Sequence, residues 1–108
     1  MNSMNNMSLL EKKEHYSMLF DFYGSLLTEK QQDYFSDYYF NDLSLMEIST
    51  YYNVSRNAVF DQIKKTLKIL DDYEEKLHLC ELYIKRNNLY DEYNDTCKEL
   101  ITKLKELE

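Results

Sequence analysis

The sequence predicts an all-α fold, a helical bundle with a helix-turn-helix and a long C-terminal helical extension. Three observations carry that reading. The 108 residues contain one glycine and no proline, whereas sheet proteins and phosphate-cradling loops draw their turns from those residues. Apolar residues recur at steps of three and four along most of the chain. Hydroxyl residues stand three positions before Glu or Gln at the start of such runs, the signature of a capping box.

The first helix starts after Ser8 and runs to about Leu27, with Tyr16, Leu19, Phe20, Tyr23, Leu26 and Leu27 on one face. Gly24 falls inside it, where the missing Cβ lets a neighbouring helix approach closely; Met1 to Met7 reads as a frayed arm. Thr28 with Gln31 caps a second helix whose aromatic face is Tyr34, Phe35, Tyr38 and Tyr39, and Asn41-Asp42 end it. Ser44 with Glu47 caps a short third helix lasting to about Tyr52, with Leu45, Ile48 and Tyr52 inward. Asn53 is suited to a left-handed turn residue, and Ser55 to the cap of a fourth helix. That helix carries Val59, Ile63, Leu67, Leu70, Leu77, Cys80 and Ile84 without a breaker until Asn87-Asn88. Leu89, Tyr93, Cys97, Leu100, Ile101, Leu104 and Leu107 outline a last helix.

These elements read as a single all-helical domain over 1–108. Residues 8–70 form the bundle, with the helix-turn-helix at about 44–67. Residues 71–108 form a C-terminal helical hairpin turning at Asn87-Asn88. The two long apolar stripes exceed what a core of this size covers, so a homodimer through the C-terminal helices is expected.

The charge is −7, from 20 acidic and 13 basic residues. Such a balance opposes general polyanion binding, but it is unevenly placed. Residues 71–108 carry −5, whereas Arg56, Lys64, Lys65 and Lys68 against Asp61 give Ser55 to Lys68 a local +3. A basic stripe on the second helix of a helix-turn-helix is the footprint of phosphate contact. The candidate nucleic-acid-binding residues are therefore Ser55 as cap, Arg56 and Asn57 as first contacts, and Lys64, Lys65 and Lys68 as phosphate neutralisers. Ala58, Phe60 and Asp61 replace the basic or amide side chains usual on such a helix. Phe60 could stack on an unpaired base or line a core or dimer interface, so DNA, structured RNA and a protein ligand all stay open.

No catalytic, metal or cofactor motif stands out. His15 and His78 lie on different helices, no C-x-x-C or H-x-x-x-H pair occurs, and no nucleophile sits in a recognisable setting. The carboxylates Asp71, Asp72, Glu74 and Glu75 read as a solvated run. Cys80 and Cys97 are too few for a disulfide framework and read as small, partly buried apolar residues. No segment resembles a signal peptide or a membrane span, so a soluble, cytoplasmic, non-enzymatic protein is expected.

The segments Leu26 to Phe35 and Tyr38 to Leu70 resemble region 4 of bacterial sigma factors. Four blocks, LFDFYGSLLTEKQQDYF (Leu19 to Phe35), DLSLMEIS (Asp42 to Ser49), NVSRNAVFDQIK (Asn53 to Lys64) and YEEKLHL (Tyr73 to Leu79), are similar to those of the YlxM family of small bacterial proteins. The resemblance implies an all-helical, dimerising helix-turn-helix regulator or accessory protein. By gene neighbourhood it also implies a link to the signal recognition particle pathway. The alternative is an interaction module that binds the signal recognition particle GTPase without touching nucleic acid.

Overall fold

The computed structural model describes residues 8–108; Met1 to Met7, read above as an arm, lies outside them. The described residues form six α-helices and no strand: α1 (Leu9–Tyr23), α2 (Glu29–Tyr39), α3 (Leu45–Tyr52), α4 (Arg56–Leu77), α5 (Leu79–Tyr93) and α6 (Lys98–Glu106). They divide into two compact units, one ending at Leu77 and one spanning His78–Glu108.

In the first unit the helix starts are written by local side chains. Thr28 Oγ1 accepts from the Gln31 amide at 3.2 Å while the Gln31 side chain accepts from the Thr28 amide at 3.0 Å. Ser44 and Glu47 make the same exchange at 3.0 and 2.9 Å, and Ser8 with Glu11 adds a third box. The two bonds from Ser44 hold the Glu47 carboxyl below the usual carboxylate range.

α1, α2 and α3 all pack on α4. The core is aromatic: Phe35 is fully buried, lies parallel to Phe20 at 4.5 Å and stacks on Tyr39 at 4.6 Å with the rings 24° apart. Leu19, Tyr23, Ile48, Val59 and Leu70 complete it. Two tyrosines bind α1 to α4, Tyr16 donating to Asp71 Oδ2 at 2.9 Å and Tyr23 to Glu74 Oε1 at 2.6 Å. Asp71 Oδ1 also lies 3.7 Å from His15 Nε2. The carboxylate run expected to be solvated is therefore partly a structural device, and Asp72 pairs with Lys68 at 3.6 Å.

The first helix is shorter than its periodicity implies. It ends at Tyr23, and Gly24–Leu26 winds as a 3-10 turn. The tighter winding shifts the phase of the stripe and leaves Leu26 55% exposed. Gln32 Nε2 closes the turn by donating to the carbonyl of Gly24 at 2.8 Å. Gly24 makes room for a side chain of its own helix: a Cβ there would stand 3.2 Å from the Phe20 ring.

In the second unit, the turn expected at Asn87-Asn88 does not form. α5 runs through both residues, because Asn87 Nδ2 donates to the carbonyl of Tyr83 one turn back at 3.0 Å and so satisfies itself within the helix. The breaks fall instead at His78, which is left-handed with φ 55°, and between Tyr93 and Lys98. α5 and α6 pack on each other, and Glu108 folds back to accept from Arg86 Nε at 3.3 Å and from the Tyr90 hydroxyl.

Candidate nucleic-acid interface

The helix-turn-helix is α3, the turn Asn53–Ser55 and the first half of α4. Asn53 is left-handed at φ 57° and ψ 48°. Its amide donates to the carbonyl of Thr50, and the Val54 amide donates to that of Ser49 at 3.0 Å. This pair of bonds is a Schellman motif, with asparagine in the place glycine usually takes. Two residues on, Ser55 Oγ accepts from the Ala58 amide at 3.0 Å and opens α4. One helix is thus stopped and the next started within a few residues. Tyr52 adds a brace from α3 to α2 by donating to Asp37 Oδ2 at 2.9 Å, and burial with that bond pushes its hydroxyl up to about 12.

Ile48, Val59 and Ile63 are buried and hold the two helices together as the sequence implies. Val54, which the sequence pattern would place in the same contact, is instead 38% exposed and is held to α3 through its backbone bond to Ser49.

Every candidate contact residue is exposed: Ser55, Arg56, Asn57, Lys64, Lys65 and Lys68. At about 100° per residue, Asn57, Lys64, Lys65 and Lys68 fall opposite the buried row of Val59, Ile63, Thr66 and Leu70. Arg56 is turned toward the flank and shares it with Phe60. Asp61 stands among the lysines and Asp72 takes Lys68, so the outward face is less basic than its residue count. Lys65 and Arg56 make no ion pair with the described residues.

One pairing follows from spacing rather than from residue type. Lys64 Nζ lies 5.2 Å from the centroid of the Phe60 ring, the i, i+4 spacing that brings helix neighbours together. Phe60 is 44% exposed and is not part of the aromatic core. Among the described residues no group of His, Cys, Asp and Glu could hold a metal ion, and no helix is long and apolar enough to cross a membrane.

Comparison with known proteins agrees with this geometry. Residues 10–108 match the model of the UPF0122 family, described as "Putative helix-turn-helix protein, YlxM / p13 like". The UPF0122 protein YofM of Lactococcus lactis is 48% identical over 102 residues, covering 92% of each chain. The UPF0122 protein of Shouchella clausii is 43% identical over 109 residues, covering 93% of this chain and all of its own. A UPF0122 protein of Streptococcus pneumoniae is 49% identical over 83 residues, covering 77% of this chain and 76% of its own. With a helix-turn-helix in its fold and a family match over nearly its whole length, this chain belongs to the UPF0122 family of YlxM/p13-like proteins.

Proposed function

We propose that the protein is a cytoplasmic regulatory or accessory factor that acts by binding nucleic acid through α4 rather than by catalysis. The observation that carries this reading is the exposed set Arg56, Asn57, Lys64, Lys65 and Lys68 on a capped helix whose opposite face is buried. Ser55 starts the helix, Arg56 and Asn57 meet the ligand first, and the lysines neutralise phosphate.

Four cations per protomer give a binding constant whose logarithm falls with log salt at a slope of about −3 to −4. A fourfold rise in salt then weakens binding about a hundredfold. The variant Lys64→Glu, Lys65→Glu, Lys68→Glu is expected to lose binding at low salt, measured by fluorescence anisotropy against mixed-sequence DNA and RNA. Unchanged affinity in that variant sinks the proposal.

The second unit serves as the dimer interface in this reading, with the first unit as the binding bundle; the division falls after Leu77 rather than at residue 70, because Asp71 and Glu74 of α4 bond to α1. Leu82, Leu89 and Tyr93 are exposed on one side of α5, and Leu100, Leu104 and Leu107 on one side of α6. Their steps of three, four and seven are those of a helix–helix seam. Light scattering is expected to give twice the chain mass of 13.2 kDa. The pair Leu82→Glu and Leu89→Glu should halve that mass while the far-ultraviolet spectrum stays helical.

A second reading keeps the fold and replaces the ligand with a protein, the signal recognition particle GTPase being the partner the family resemblance implies. The −7 charge and the exposed Phe60 beside Asp61 favour it. Salt separates the two, since an aromatic protein contact does not weaken steeply as ions are added.

A further inference from the structure

Arg56, Phe60, Lys64 and Lys68 are each four residues apart on α4. Side chains at that spacing form one continuous ridge, rising about 6 Å and turning about 40° at each step. The order along it is cation, aromatic ring, cation, cation. Basic side chains interleaved with an exposed aromatic face are what a single strand needs, because the cations follow the backbone while a base stacks on the ring. We infer that this ridge takes an unpaired strand, with one base stacked on Phe60, in preference to a duplex groove. The inference rests on the nucleic-acid reading above and names its ligand.

Phe60 differs from the other phenylalanines in what it touches. Phe20, Phe35 and Phe40 contact one another, and Phe22 packs beside Tyr23. Among the described residues the Phe60 ring has no aromatic neighbour, and its partner is the Lys64 ammonium at 5.2 Å. That contact sits on an exposed surface, so an arriving base can displace it. The displaced ammonium then lies one helical turn from the stacked base, in reach of the adjoining phosphate.

A duplex fits the same surface poorly. A helix in the major groove has phosphates on both sides, and the exposed Asp61 carboxylate, at the centre of the outward face among the lysines, would be repelled from both rims. Ala58 presents only a methyl where a base edge would lie. A single strand following the Arg56–Lys68 ridge passes to one side of Asp61 and leaves that carboxylate in water.

The test compares a labelled oligothymidine of about a dozen nucleotides with a duplex of the same length, by anisotropy at low salt. The oligothymidine is expected to bind more tightly. Phe60→Ala should weaken it roughly tenfold while changing duplex binding less than about twofold. Because the chain has no tryptophan, Phe60→Trp puts a single indole on the ridge. Its fluorescence should be quenched by oligothymidine, and affinity should be kept or improved. Equal or tighter duplex binding, or a Phe60→Ala protein with unchanged single-strand affinity, overturns the inference. If the triple lysine variant loses binding in that case, the α4 reading survives it. Absence of binding to either probe at low salt overturns both. Circular dichroism of the variants confirms that the exposed position tolerates each change.

Discussion

Phe35→Ala is expected to destabilise the fold by about 3–5 kcal/mol. Phe35 is fully buried and stacks between Phe20 at 4.5 Å and Tyr39 at 4.6 Å, with Phe40 edge-on at 5.6 Å. Removing a buried phenyl ring costs about 3–5 kcal/mol in lost burial and the cavity left behind. A small domain has about 5–15 kcal/mol in all, so one side chain consumes much of it. Urea denaturation followed by circular dichroism measures the loss. Phe60→Ala is the control, with an expected change within about 0.5 kcal/mol at its exposed position. The contrast separates an aromatic that builds the fold from one that stands exposed on its surface.

Alkaline unfolding is the second large effect. Burial, reinforced by Tyr38 and Asp71, pushes the Tyr39 hydroxyl from 10.0 up to about 12. Burial with the bond to Asp37 does the same for Tyr52. Burial and the hydrogen bond to Asp71 raise Tyr16 further still. Below pH 10 these groups are protonated in folded and unfolded chains alike, so their contribution to stability is complete. As pH climbs past 10 the unfolded chain releases protons that the folded chain retains, which favours unfolding until the folded hydroxyls titrate near 12. Tyr39 alone accounts for a loss of about 2–3 kcal/mol over that window. Melting temperature is expected to be flat to pH 10 and then to fall steeply; exposed tyrosines such as Tyr51 and Tyr93 ionise first, and the remaining tyrosinate absorbance appears together with loss of helix. Tyr39→Phe should move the alkaline midpoint upward. Tyrosinate absorbance that develops fully while the helix signal persists would show the hydroxyls to be accessible and the explanation wrong.

The features legible in the sequence are those closed within a few residues. The Thr28–Gln31 and Ser44–Glu47 boxes, the left-handed Asn53 and the Ser55 cap all follow from side chains bonding backbone next to them. What was not legible depends on distance or phase. The bonds from Tyr16 to Asp71 and from Tyr23 to Glu74 join residues 55 and 51 positions apart, so the carboxylates looked like ordinary surface charge. The 3-10 turn after Tyr23 is marked only by Gly24, which fits a close helix contact equally well, and the break at His78 has no composition cue, since an apolar stripe continues across it. At the site, the residue types and their exposure were readable. The pairing of Lys64 with Phe60 was available from spacing alone, and the offset of Arg56 from the lysines follows from helix geometry.

The stop and start around Asn53 and Ser55 also bear on the entropy of association. Both are closed by hydrogen bonds within the segment from Ser49 to Ala58. The backbone under the ridge is thus ordered before any ligand arrives, and binding need not immobilise it. What remains to be ordered is the side chains, chiefly the lysine and arginine tails, at roughly 0.5–1.5 kcal/mol each. A stiff platform with loose arms meets many ligand shapes at similar cost, which suits the contacts proposed for it, to backbone phosphate and a stacked base.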